Sequence, residues 1–272
     1  GRSLFTCRLA WPLHYIIFMI ETLILILAAF LTSMLSAIIG MGGGVTLLGI
    51  MAVMIPEGYM VVALHGVIQL VSNVTRTVVY RTHLHGPIFK QFVIGVIPGL
   101  LLSALMIVGL MQWIGVESAS EIKIDFLKPL IGVYILWFLF LRKKGKRVAE
   151  NAFVWLGGLS GLVTVFIGAA GPLIAPFFIN KDMTKENVIA TKAACQAVGH
   201  LGKMPIFIFL FGMNYFSELS VLLPLVVAVY IGTTLGKRML GKLPESTFRI
   251  LFKVVLTLIA IRLIAIELFQ LI

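Results

Sequence analysis

The sequence predicts an all-α integral membrane protein made of two inverted repeats of transmembrane helices, each with a glycine-broken or re-entrant helix. The chain is 60% hydrophobic and only 12% charged over 272 residues, whereas soluble domains have roughly 45 to 50% apolar residues. Apolar runs close to the ~20 residues that span a bilayer recur along its length. A set of polar residues at the same spacing occurs within these runs once in each half of the chain. We therefore interpret residues 1–272 as a single membrane domain, multi-pass in the cytoplasmic membrane.

The net charge is +11, and its distribution indicates the lipid bilayer as the partner. Lys and Arg cluster in short connections and near helix ends, as the positive-inside rule expects of cytoplasmic loops, so nucleic acid need not be invoked. The densest basic run, 142–150, is interpreted as a cytoplasmic linker. The two cysteines favour neither a disulfide framework nor a thiolate metal site. No metal and no cofactor is expected.

A glycine-rich break interrupts the first apolar segment between the runs 23–39 and 45–55, with Gly at positions 40, 42, 43 and 44. Glycine costs about 1 kcal/mol relative to alanine inside a helix. Unpaired backbone at membrane depth survives only where it is buried in protein or lines a wet cavity. Free N–H groups at the start of the following half-helix suit an anion. The break is therefore interpreted as part of a substrate site, although a kink or close helix packing would use the same glycines.

The next apolar helix, predicted at about 59–80, carries a polar stripe. At about 100° per residue, a sector of about 60° holds His65, Gln69, Ser72 and Arg76, with Asn73 beside it. An arginine at the membrane centre costs about 2.5 to 3.5 kcal/mol on insertion scales, so Arg76 needs a reason to be there. Because this helix offers no clear carboxylate, an anion is the expected partner.

The second half of the chain repeats this pattern. A shift of 127 positions superposes Gly44 on Gly171, His65 on Lys192, Gln69 on Gln196, Asn73 on His200 and Arg76 on Lys203. The signs of the loop charges swap under this shift: the basic loop 81–90 falls on 208–217, which holds no Lys or Arg. Under the positive-inside rule, the repeats are predicted to lie upside down to each other, a plan of many secondary transporters. The predicted boundaries are 11–141 and 151–272.

The candidate substrate site draws on both repeats. Glycines would offer backbone N–H groups, amides and an imidazole would orient anion oxygens, and Arg76 and Lys203 would supply charge. The candidate residues are Gly42, Gly43, Gly44, Gln69, Asn73, Arg76, Gly171, Gln196, His200 and Lys203. The basic side chains could instead snorkel to the interface. His65 and His200 could be structural donors or proton carriers, and the sequence leaves that choice open.

Enzyme interpretations find little support, since the chain has no His-Glu-x-x-His, no Gly-x-Ser-x-Gly and no pair of intramembrane aspartates. We do not expect an enzyme. The preferred hypothesis is a transporter of small oxyanions that works by alternating access. A passive anion channel would use the same residues, and an intramembrane enzyme or scaffold is the third alternative.

The chain resembles the TauE/SafE sulfite-exporter family of membrane transporters. The resemblance lies in the run Gly40 to Gly44, its echo Gly168 to Pro172, Pro176 and the two-repeat hydropathy plan. It implies export of a small sulfur-containing oxyanion such as sulfite, sulfoacetate or a related organosulfonate. It also implies coupling to an ion gradient, with a proton or sodium as the candidate ion. In the second run, 168–172, two alanines stand where the first run has glycines. The sequence does not determine the oligomeric state, and a homo-oligomer is one possibility.

Overall fold

A computed structural model describes residues 3–39, 42–122, 127–141, 151–179, 183–239, 253–254 and 257–265. Every regular element within these ranges is helical, in agreement with the predicted all-α class. The predicted linker 142–150 and Gly40 of the glycine-rich break lie outside the described residues.

The helices are numbered in chain order. They are α1 (Ser3–Ile39), α2 (Gly43–Met54), α3 (Gly58–Val79), α4 (Gly86–Ile114), α5 (Leu127–Leu136), α6 (Ala152–Phe166), α7 (Gly171–Ile179), α8 (Lys185–Phe211) and α9 (Leu219–Arg238). Short 3₁₀ turns occupy Arg81–His83 and Ala119–Glu121, a π-helical stretch at Trp137–Leu141 continues α5, and 257–265 is also helical.

Five of the described helical segments are long and apolar enough to cross a bilayer. They are Met19–Ile38, Gly58–Val79, Gly86–Ile114, Glu186–Phe211 and Leu219–Arg238. The apolar helices Gly43–Met54, Pro129–Leu141 and Ala152–Phe166 are shorter. The chain is therefore a multi-pass membrane protein, and the helix predicted at about 59–80 corresponds to Gly58–Val79.

The apolar segments are interrupted where the sequence is rich in glycine. Helix α1 ends at Ile39 and α2 begins at Gly43, and a second gap separates α6 from α7. Gly42 has φ 96° and Gly168 has φ 94°, each just before the short helix that follows. Glycine adopts this conformation without steric cost, which explains its presence at these two positions.

Basic residues gather at one end of the helix bundle, which we call the basic face. Lys237 Nζ donates to the Val79 carbonyl over 2.8 Å, so the C-terminal ends of α3 and α9 lie together. Asn187 Nδ2 donates to the His83 carbonyl over 2.8 Å, which places the start of α8 at the same end. The cations at this face include Arg81, Lys90, Lys237 and Arg238.

Acidic residues gather at the opposite end, which we call the acidic face. Tyr59 of α3 stacks on Phe211 of α8 with ring centroids 5.7 Å apart. Ser118, which follows α4, donates to the Leu210 carbonyl over 3.4 Å. The acidic residues that flank helices here are Glu57, Glu117, Glu121 and Glu218. Helices α3 and α8 consequently run antiparallel between the two faces.

The most extensive helix contacts are those of α1 with α9, α4 with α6, and α3 with α8. Glycines allow the close approach: a Cβ on Gly99 of α4 would overlap the backbone of Gly158 in α6, and a Cβ on Gly236 of α9 would overlap the Met34 carbonyl in α1. Small residues at such contacts are the usual means of packing membrane helices. Each of these three pairs joins a helix from the first half of the chain to one from the second.

Candidate functional site

A small polar cavity lies between the two helix breaks. Its wall is built from α1, α2, α3, α8 and the start of α7. The lining residues are Ser36, Gly42, Gly44, Val45, His65, Gln69, Arg76, Ala169, Gly171, Lys192, Gln196 and His200. Both predicted broken segments therefore contribute to one space.

Two helix N-termini meet at this cavity. Helix α2 begins at Gly43 without a side-chain cap, and the first backbone bond of its opening turn runs from Thr46 N to Gly42 O over 3.1 Å. The N–H groups before Thr46 have no acceptor within their own helix. Helix α7 begins at Gly171 on the other side. Each N-terminus carries a partial positive charge.

Each of these starts faces a glutamine from the helix that follows in the sequence. A Cβ on Gly44 would lie 3.0 Å from Gln69 Oε1, and a Cβ on Gly171 would lie 2.6 Å from Gln196 Nε2. Both distances are shorter than an ordinary carbon contact. The absence of a side chain at both glycines thus lets an amide group reach the helix start.

His65 ties α3 to the start of α2. Its Nε2 atom lies 2.8 Å from the Gly44 carbonyl oxygen. A carbonyl can only accept, so we assign the proton to Nε2. The ring meets that of His200 edge to face, with centroids 6.0 Å apart and planes at 77°. The Nδ1 atoms of both rings are buried and have no hydrogen-bond partner in the part of the chain that is described.

Arg76 provides positive charge on the cavity wall although it is only 3% exposed. Its Nη2 donates to Asn73 Oδ1 over 2.5 Å, and its Nε donates to the Ser72 carbonyl over 3.4 Å. A guanidinium has five N–H groups, so further donors exist beyond these two. Lys192, also buried, lines the same wall. The buried side chains that the structure describes include no Asp or Glu.

The structure brings together most of the predicted site residues. Those on the cavity wall are Gly42, Gly44, Gln69, Arg76, Gly171, Gln196 and His200. Gly43 instead packs closely on Thr32 and Ser36 of α1. Asn73 lies behind the wall as the acceptor of Arg76.

Lys203 is also away from the wall, and its ammonium is fully engaged elsewhere. Nζ donates to the carbonyl oxygens of Val62 over 2.9 Å, Thr164 over 3.3 Å and Gly168 over 3.5 Å. Its side chain is 0% exposed, so it does not snorkel to the membrane surface.

The cavity also contains residues beyond the predicted set, namely Ser36, Val45, His65, Ala169 and Lys192. His65 and Lys192 are equivalent positions of the predicted repeat, and their polarity inside apolar helices is a signal that could have included them. Ser36, Val45 and Ala169 lack such a signal, because small or apolar residues are ordinary in membrane helices.

The fold and this cavity define a multi-pass membrane protein with a buried, positively charged cavity between two interrupted helical segments. A family model described as sulfite exporter TauE/SafE matches residues 25–263. The chain belongs to this family of membrane transporters. Among curated proteins and solved structures, none matches the chain significantly.

Proposed function

We propose that the protein exports a small sulfur-containing oxyanion, such as sulfite, sulfoacetate or a related organosulfonate, across the cell membrane by alternating access. The observation that carries this proposal is the convergence of two helix N-termini, Arg76 and Lys192 on one cavity. The first turn of α2 can bind an anion through free N–H groups and partial charge. The start of α7 contributes mainly partial charge, because Pro172 has no N–H and the Leu173 N–H donates to the Ala170 carbonyl. A guanidinium binds oxyanions through directed donors.

The two glutamines on the cavity wall are suited to bind several oxygens of the anion without binding it too tightly for release. Gln69 and Gln196 offer neutral amide donors beside the two helix starts. Neutral hydrogen bonds are about half as strong as those to charged groups, which favours release as well as binding.

Inverted repeats at 11–141 and 151–272 would give the protein its two alternating states. The antiparallel contact between α3 and α8 supports this arrangement, because the sequence repeat makes these helices equivalent. The pairs α1 with α9 and α4 with α6 support it too, since exchanging the repeats converts one pair into the other. Transporters with such repeats move one unit against the other around a central site. A proton or sodium gradient would drive the cycle.

Flux measurements in proteoliposomes test the proposal. Vesicles loaded with sulfite should release it at a rate that saturates with concentration and exceeds that of protein-free vesicles. Sulfoacetate and sulfate should compete more strongly than acetate. Flux that rises linearly with concentration would favour a passive channel, and no protein-dependent flux for any of these anions would contradict a transporter of small oxyanions.

A further inference from the structure

We infer that Lys203 is a positioning residue that holds closed a barrier between the polar cavity and the acidic face, and is not a ligand of the transported anion. This inference rests on the proposed transport function, because a barrier has meaning only for a chain that moves a solute.

The ammonium of Lys203 joins three separate segments. Its acceptors belong to α3 (Val62), α6 (Thr164) and the segment that precedes α7 (Gly168). A lysine ammonium has three N–H groups, and three carbonyls receive them here. Lys203 could therefore donate to an anion only by releasing at least one of these segments.

A second space lies on the far side of this junction. It is mainly apolar and is lined by residues that include Tyr59, Val62, Val165, Phe166, Phe207 and Phe211. The stack of Tyr59 on Phe211 places it at the acidic face.

The two spaces follow each other along the same helices. On α3, Val62 lines the apolar space and His65, one turn later, lines the polar cavity. On α8, His200 lines the polar cavity and Phe207 the apolar space, with Lys203 between them. Lys203 and its carbonyl acceptors thus form a layer that separates the cavity from the acidic face.

Gly66 provides the room that Lys203 needs. A Cβ on Gly66 would overlap Cε of Lys203 and lie 3.1 Å from its Nζ. Gly66→Ala should therefore displace the ammonium from its acceptors while leaving every charge in place. Gly199→Ala is a matched control, because a Cβ there would make only an ordinary contact, 3.7 Å from Thr164 Cγ2.

Thiol labelling of a cysteine on the cavity wall tests the barrier without any substrate. Ala169→Cys would be made in a chain with Cys7→Ser and Cys195→Ala, and a membrane-impermeant thiol reagent would be applied to the acidic face of sealed vesicles. Asn214→Cys, at an exposed position before α9, identifies that face. Lys203→Met and Gly66→Ala should each raise the labelling rate of Ala169→Cys at least tenfold, and Gly199→Ala should leave it unchanged.

The sulfite affinity of Lys203→Met distinguishes a role of Lys203 in the barrier from a role as a ligand of the anion. Lys203→Met should bind sulfite within about threefold of the parent protein. Loss of sulfite binding without a change in labelling would identify Lys203 as a ligand and overturn the inference. Equal labelling in all variants, or a rise from both faces alike, would also overturn it. If Lys203→Met fails to fold, Gly66→Ala decides the question. A parent protein that binds no anion would refute the proposed function. The labelling rates of Ala169→Cys in the different variants would still test whether Lys203 closes the barrier.

Discussion

The Nε2 atom of His65 lies 2.8 Å from the carbonyl oxygen of Gly44, so a side chain in the middle of α3 fixes the first turn of α2. This bond joins two walls of the polar cavity, and the His65 side chain is 0% exposed. The position of the α2 N-terminus therefore depends on an imidazole from the neighbouring helix.

Replacing His65 by leucine should lower both stability and anion affinity. The substitution leaves the Gly44 carbonyl without its partner, and a hydrogen bond of this kind contributes about 0.5 to 1.5 kcal/mol. Thermal unfolding and sulfite titration measure the two effects, with His65→Gln as a variant that retains a donor. A leucine variant with the melting temperature and affinity of the parent would show that this bond does not position α2.

Adding a methyl group at either cavity glycine should displace the neighbouring glutamine. The Cβ of Gly44→Ala or Gly171→Ala would crowd Gln69 or Gln196, whose side chains would have to move. We expect sulfite affinity to fall about tenfold, which corresponds to about 1.4 kcal/mol. Isothermal titration calorimetry with sulfite measures this loss of affinity, and Gly199→Ala is the control variant. Unchanged affinity in both cavity variants would separate the glutamines from anion binding.

The contact between α4 and α6 should tolerate no side chain at Gly99. A Cβ there would overlap the Gly158 backbone, which cannot move as a flexible side chain would. Overpacking of this kind costs about 1 to 3 kcal/mol. Gly99→Ala should lower the melting temperature, whereas Gly109→Ala on the same helix should not, because nothing lies within 4 Å of its added Cβ. Equal melting temperatures would contradict the close packing of this pair.

Much of the fold was predictable because membrane helices can be recognised in a sequence from the length and hydropathy of their apolar runs. The predicted helix 59–80 corresponds to α3, Gly58–Val79. The predicted break at 40–44 falls where α1 ends and α2 begins, although Gly43 and Gly44 already belong to α2. Helical periodicity also placed His65, Gln69 and Arg76 on one face, and all three line the cavity. Ser72, on the same stripe, instead lies 3.5 Å from Thr233 of α9.

The helix face on which a residue lies was predictable from the sequence, but the atoms that a long side chain contacts were not. Lys203 was expected to supply charge to the anion, as the equivalent of Arg76. In the structure its long side chain extends to three backbone carbonyls, two of which become available only because α6 ends and the chain turns before α7. Periodicity carries no information on such acceptors, since they arise from the packing of several helices.

Labelling of two equivalent loops tests the inversion of the repeats. Thr82 is exposed at the basic face, and Asn214 is exposed in the corresponding part of the predicted second repeat. By the positive-inside rule, Thr82→Cys should react with an impermeant thiol reagent only from the cytoplasmic side, and Asn214→Cys only from the outside. Reaction of both cysteines from the same side would contradict inverted repeats.

Sulfite titration into purified protein tests most directly whether the cavity binds an oxyanion through Arg76. The parent protein should bind sulfite, and Arg76→Gln should bind about 10- to 100-fold more weakly, because a hydrogen bond to a charged group contributes about 1.5 to 3 kcal/mol. The variant should elute as a folded species on size exclusion. Equal affinity in the parent and in a folded Arg76→Gln protein would contradict an anion site at this cavity.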